Sequence, residues 1–166
     1  MQIFLPDHNY YISADSLDDR RLNKQIVELC QILSTAVWLE NCNVAEILYA
    51  KGKIYLPTHE NHPIIRNCKY CYYNTVDYLY VLLKQYEYRF LKKHNCYSKV
   101  RNFEYCSHLF NKYKPEFKFF GNYTTNHKHI LNMHEAYRLC LVEKWKNDKV
   151  VPNWTNRPVP KFYKGE

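Results

Sequence analysis

Residues 15–39 read DSLDDRRLNKQIVELCQILSTAVWL, and their spacing decides the fold. Apolar side chains recur every three or four positions, which predicts a helix with one face in a protein core. The stripe consists of Leu22, Ile26, Leu29, Leu33 and Val37. Asp15 or Ser16 is the expected N-cap, and the polar residues 41–43 end the helix. The sequence therefore predicts one long helix around which the rest of the chain packs.

The side of this helix away from the apolar stripe is basic and carries a single carboxylate. Arg21, Lys24, Gln25 and Glu28 all fall off the stripe. One interpretation is a solvated face in which Lys24 and Glu28 pair at four-residue spacing, worth roughly 0.2–0.5 kcal/mol. The other is that Glu28 is the working carboxylate of a site that receives a polyanion. The pattern alone leaves both open.

Length and charge limit the possible functions. A chain of 166 residues is expected to form a single compact domain, residues 1–166. The formal charge of +8 favours a polyanionic partner, either nucleic acid or an anionic membrane surface. The 17 tyrosines favour nucleic acid, because flat rings stack on bases. No apolar run approaches the roughly 18 residues that cross a bilayer, and we expect no membrane association.

The numbers and positions of cysteine and glycine limit the cofactors and metal sites that the chain could contain. Seven cysteines, an odd number with no secretory signal before Asp7, favour free thiols and an intracellular location, either cytoplasm or nucleus. Three glycines leave no phosphate-binding loop and no dinucleotide fingerprint. Cys68 and Cys71 form only half of a zinc site, within a predicted helix. We therefore expect no cofactor and no metal.

A second long helix is predicted from Pro63 to Phe90, with Asn61 or His62 as its cap. His62 lies at a helix N-terminus, where exposed amides can hold a phosphate, although a simple start signal explains the motif equally well. Shorter helices are predicted over 99–113 and 134–147, and residues 44–51 are predicted to form either a short amphipathic helix or an irregular turn. The expected fold is all-α, with two long helices crossing in the core.

Two further segments mix aromatic and basic residues. The loop 114–129 has Phe117, Phe119, Phe120 and Tyr123 among lysines, as either a stacking platform or a cover over the core. The tail VVPNWTNRPVPKFYKGE has three prolines and is expected to lie extended on the surface. It would present Trp154, Arg157, Lys161, Phe162 and Tyr163 to a partner.

Three segments together resemble a known family: SLDDRRLNKQIVEL, NHPIIRNCKYCYYNTVDYLYVLLKQYEYRFLKKH and WTNRPVPKFYKGE. Their order and spacing are similar to those of the pyrimidine-dimer DNA glycosylases (endonuclease V family) of bacteriophages. They also resemble small uncharacterised proteins of phages and large DNA viruses. This resemblance covers most of the chain and suggests a virus-encoded protein.

The resemblance implies a DNA-repair glycosylase with abasic-site lyase activity on double-stranded DNA. It implies that the α-amino group of Met1 attacks the damaged nucleoside after base flipping, with Glu28 as the catalytic carboxylate. DNA contacts are implied for the helix and the tail, namely Arg20, Arg21, Lys24, Trp154, Arg157, Lys161 and Tyr163. A monomer is expected.

Two departures from the family pattern bear on the substrate. Gln2 replaces the usual small second residue, and Val27 stands where arginine usually precedes the glutamate. Either departure would be consistent with a modified base as the substrate, with a different lesion, or with loss of catalysis. The alternatives are a non-catalytic nucleic-acid-binding protein, a protein-interaction module and a metal-dependent nuclease.

Overall fold

The computed structural model describes residues 2–113 and 122–165, and within them the fold is all-α without strands. The two longest helices, α2 and α5, form the most extensive helix pair, which confirms the predicted class and the crossing of two long helices. The helices in chain order are α1 (Tyr10–Ser16), α2 (Asp19–Glu40), α3 (Cys42–Ala50), α4 (Pro63–Cys68), α5 (Tyr72–Phe90), α6 (Tyr97–Cys106), a 3-10 helix (Ser107–Phe110), α7 (Met133–Asn147) and α8 (Lys161–Lys164).

The predicted stripe of α2 is confirmed, since all five of its apolar side chains are fully buried. The predicted cap is wrong. The N-cap of α2 is Asp18, whereas Asp15 and Ser16 belong to the preceding helix α1. The Asn9 side chain starts α1 by accepting from two backbone N–H groups, and the extended, buried Leu17 separates the two helices.

The second long helix is interrupted, contrary to the single helix predicted. His62 caps α4 and Pro63 is its first residue, as expected, but α4 ends at Cys68. Across the break, the N–H groups of Tyr70 and Cys71 bond three residues back instead of four. The chain then restarts as α5, whose first residue Tyr72 stacks on Phe110 with 3.9 Å between ring centroids.

Several shorter elements follow the prediction. Of the two alternatives for residues 44–51, the helix is present as α3, and the helix predicted over 134–147 is α7. The helix predicted over 99–113 begins two residues earlier and finishes as the 3-10 helix. Phe117, Phe119 and Phe120 of the predicted aromatic loop lie outside the described residues. Within the described part of the chain, no helix has both the length and the apolar character needed to cross a membrane.

Candidate active site

The chain starts with an extended arm, residues 2–6, that packs against α2. Ile3, Phe4 and Leu5 are buried in the core. Next to them, the backbone N–H of Gln2 donates a hydrogen bond to the Glu28 carboxylate. Met1, the predicted nucleophile, lies outside the described residues. The arm therefore brings the second residue of the chain into contact with the predicted catalytic acid.

Glu28 opens onto a cavity of about 350 Å³ beside the first half of α2. Four cations and two carboxylates contribute to its wall, so the cavity is basic. Its lining residues are Gln2, Phe4, Arg20, Arg21, Lys24, Glu28, Lys144 and Asp148. Glu28 and the three predicted cations of α2 thus share one site. A cavity with this charge suits a phosphate-bearing ligand.

The environment of Glu28 favours its protonated form. Burial raises the pKa of Glu28 above that of an ordinary glutamate, and Lys24, the Gln2 backbone and Lys144 only partly offset this effect. Lys24 Nζ lies 3.8 Å from Glu28 Oε1, so the predicted pair at four-residue spacing is present. The Glu28 side chain is 17% exposed. Such a carboxylate is a stronger proton acceptor than a fully solvated one.

The three cationic side chains of α2 that line the cavity differ in their ion pairs and in their exposure to solvent. Arg21 is nearly buried and forms ion pairs with Asp18 at 3.1 Å and with Asp148 at 2.8 Å. The Arg20 and Lys24 side chains are 67% and 70% exposed, and each makes only one long ion pair, of 4.0 and 3.8 Å. Arg20 and Lys24 are therefore available to bind a ligand, whereas Arg21 shapes the wall of the cavity.

His62 lies at a second cavity, of about 430 Å³, that shares Gln2 with the first. Its lining residues are Gln2, His62, Pro63, Tyr123, Thr125 and Lys128. Burial lowers the pKa of His62, and its Nδ1 accepts a hydrogen bond from the Ile64 N–H at 3.2 Å. A neutral imidazole that caps α4 is consistent with the simple start signal.

The tail is packed more deeply than predicted. Trp154 is only 7% exposed, and its indole N–H donates to the Ser16 carbonyl at 3.0 Å, so the prediction that it is presented on the surface is wrong. Arg157 pairs with Asp15 at 2.6 Å and lies 4.5 Å from the Tyr88 ring centroid. Tyr163 packs on Trp145 and Trp154, and Lys161 is exposed. Of these four residues, only Lys161 is exposed, whereas Arg157 and Tyr163 are half-buried and Trp154 is buried.

Sequence reasoning missed Lys144 and Asp148, which reach the cavity from the end of α7. Their four-residue separation places them on one side of that helix. Nothing in the local sequence connects them with residues 20–28, which lie more than a hundred positions earlier. Among the described residues, no group of three or more His, Cys, Asp or Glu side chains is arranged to hold a metal ion.

One comparison with known proteins gives a match. The family model described as pyrimidine dimer DNA glycosylase matches residues 1–98. This segment includes the N-terminal arm, α2 with Glu28, and α5. No curated protein and no solved structure matches the chain.

Proposed function

The chain belongs to the pyrimidine dimer DNA glycosylase family, and on that premise we propose that it is a DNA glycosylase with abasic-site lyase activity. Its proposed substrates are damaged or modified pyrimidines in double-stranded DNA. The observation that carries the proposal is the hydrogen bond from the Gln2 backbone to Glu28 inside a basic cavity. It joins the start of the chain to the acid that the family resemblance singles out.

The proposed nucleophile is the α-amino group of Met1. Residue 1 is joined by its peptide bond to Gln2, whose backbone N–H donates to Glu28. An α-amine has a reference pKa of about 7.7–8.0, and a useful fraction is neutral near pH 7, unlike a lysine amine near 10.4. The amine attacks C1′ of the flipped nucleotide and displaces the base from the sugar, and the base takes up the proton that the amine loses. The C1′–O4′ bond then breaks to leave a protonated nitrogen–C1′ imine, and O4′ becomes a hydroxyl by taking a proton from water.

The proposed role of Glu28 is to handle charge and protons in the imine that follows. The nitrogen–C1′ imine carries positive charge, which the carboxylate stabilises. Glu28 then accepts the proton from C2′, and β-elimination breaks the C3′–oxygen bond and the DNA strand. The raised pKa of Glu28 supports this assignment, because a more basic carboxylate is the better proton acceptor.

The solvent exposure of each cationic side chain in the cavity indicates whether it would contact DNA or support the cavity wall. Arg20 and Lys24 are the candidates for binding phosphates, since their side chains are largely exposed at the mouth of the cavity. Arg21 supports the wall through its two ion pairs. Lys144 adds a further positive charge from α7.

Glu28→Gln tests this function. Loss of a positioned proton acceptor is expected to slow strand cleavage by about 10²–10⁴-fold while DNA binding persists. The measurement is single-turnover cleavage of duplexes that contain a pyrimidine dimer, an abasic site or a modified pyrimidine. Glu46→Gln, at an exposed glutamate of α3, is the matched control and is expected to cleave normally.

Three results would separate this function from its alternatives. Binding that falls steeply with salt, without cleavage of any of the three duplexes, would indicate a non-catalytic DNA-binding protein. Cleavage that EDTA abolishes would indicate a metal-dependent nuclease. Equal cleavage by wild type and Glu28→Gln would remove Glu28 from the mechanism.

A further inference from the structure

The N-terminal arm is fixed by side chains rather than by a neighbouring strand. At Phe4, the backbone N–H donates to Gln25 Oε1 at 3.0 Å, and Gln25 Nε2 donates back to the Phe4 carbonyl at 2.8 Å. One side-chain amide therefore forms both hydrogen bonds that a paired strand would supply. Gln25 is 1% exposed, so these bonds are made without competition from water.

Tyr78 of α5 completes this contact. Its hydroxyl donates to the Phe4 carbonyl at 2.8 Å and accepts from Gln25 Nε2 at 3.1 Å. The Tyr78 side chain is fully buried. Gln25 is thus held in one orientation by the second long helix, with its carbonyl oxygen directed at the Phe4 N–H.

The direction of the arm follows from two contacts with α2. Gln25 bonds residue 4, and Glu28, one turn further along the same helix, accepts from residue 2. The arm therefore runs antiparallel to α2. The three residues from Gln25 to Glu28 advance about 4.5 Å along the helix, and two extended residues span about 7 Å, so fixing Phe4 leaves little freedom in where Gln2 meets the helix.

The other hydrogen bonds of the arm hold the start of the chain less directly than the Gln25 pair does. They lie further from residue 1 or use a weaker acceptor. His134 and Arg138 of α7 bond the carbonyls of Leu5 and Pro6. The Gln2 side chain donates to the Cys140 sulfur at 3.2 Å, and thioether and thiol sulfurs are weak acceptors. Within the described residues, Gln25 makes the last backbone pairing before the chain reaches Glu28.

We propose that Gln25 is a positioning residue, whose paired hydrogen bonds to the Phe4 backbone set the α-amino group of the chain beside Glu28. This proposal rests on the proposed function for its catalytic meaning, but the placement itself can be measured without DNA. Gln25 touches neither substrate nor reacting atoms, and it acts through the arm. Displacement of a reacting group by about 1 Å can cost about 10²-fold in rate.

Carbodiimide cross-linking tests the placement. The reagent activates the Glu28 carboxylate, the α-amine attacks it to form an amide, and the carbodiimide takes up the elements of water to become a urea. Digestion and mass spectrometry then distinguish a link from residue 1 to Glu28 from a link between Lys24 and Glu28. The Lys24 link, at 3.8 Å in the native structure, is the internal control in every variant.

Gln25→Met keeps the length of the side chain and removes both hydrogen bonds. We expect the residue 1 link to fall at least about tenfold relative to the Lys24 link, and single-turnover cleavage to fall by about 10–10². Thr35→Val is the matched control, because Thr35 is a buried residue of the same helix that bonds both the N–H and the carbonyl of Thr58. It should leave both measurements unchanged.

The outcomes separate the two proposals. Equal residue 1 linking in Gln25→Met and wild type, or no such link in wild type, overturns the positioning role. A link that depends on Gln25 in a protein that cleaves no DNA supports the positioning role and contradicts the enzymatic one. If Gln25→Met does not fold, Tyr78→Phe tests the same proposal. Loss of the Tyr78 hydroxyl should weaken the link from residue 1 to Glu28. An unchanged link would overturn the proposal.

Discussion

The first half of α2 and the C-terminal tail both carry arginine and lysine side chains, but the fold places these cations in different environments. On α2, Arg20 and Lys24 extend into an open basic cavity and are largely exposed. In the tail, Arg157 is held by Asp15 and by the Tyr88 ring, and Trp154 is buried against Trp145. A cation is available for DNA when the fold brings no short acidic partner to it, and composition alone does not reveal this.

The tail also shows why a surface assignment failed. The indole N–H of Trp154 donates to the Ser16 carbonyl, on the segment that leads into α2, and Trp154 packs against Trp145 of α7, whose own indole N–H donates to Asp18. Thr155 adds hydrogen bonds to Asp19. These contacts attach the tail to the start of α2, and they indicate that the tail stabilises the helix that carries Glu28.

The largest expected effect is on stability. Trp154→Ala should lower the free energy of unfolding by about 3–5 kcal/mol, because it removes a large buried side chain and leaves a cavity. Urea unfolding measures this loss. The DNA affinity of the remaining folded protein should stay near that of wild type. A large loss of affinity with unchanged stability would show that Trp154 contacts DNA directly.

A smaller effect is expected for the exposed cations of α2. Arg20→Ala and Lys24→Ala should each reduce the slope of log affinity against log salt by about 1, as expected when one phosphate contact is lost. Salt titrations of duplex binding measure the slope. Arg157→Ala is the control from the tail, and its slope should equal that of wild type. Equal slopes for all three variants would place the DNA elsewhere.

The smallest expected effect is on the free energy of unfolding, which ionisation of the partly buried Glu28 carboxylate lowers. Because burial raises the pKa of Glu28, the protonated form favours folding at low pH, and this contribution is lost as pH rises through the folded-state pKa. Glu28→Gln should therefore be more stable than wild type at pH 7, with the difference vanishing below the pKa of an unfolded glutamate. Unfolding measured across this range checks the sign, and a variant less stable at pH 7 would contradict it.

Much of the fold follows from local patterns. The apolar stripe of α2 and the His62–Pro63 start signal are local features, and both are confirmed. The break after Cys68 was not predicted, because the apolar spacing continues through residues 69–71 without proline or glycine. Stacking of Tyr72 on Phe110 accompanies the break and is a tertiary contact that periodicity does not contain.

The candidate site is only partly visible in the sequence. A lone glutamate among cations on α2 is a local pattern, so Glu28, Arg20 and Lys24 could be named in advance. Lys144 enters the cavity from α7, more than a hundred residues away. The paired hydrogen bonds between Gln25 and the Phe4 backbone join positions 21 apart in sequence, and Tyr78 of α5 orients the Gln25 amide. Such contacts depend on how the helices pack.

The most direct test is to identify the atom that becomes bonded to DNA. Borohydride reduces an imine between the protein and an opened sugar to a stable link, and digestion with mass spectrometry then locates it. We predict that the link lies on the α-amino nitrogen of residue 1 and that adding residues before Met1 prevents it. A link on a lysine side chain such as Lys24 or Lys144, or no link with abasic, dimer or modified-base DNA, would contradict this prediction.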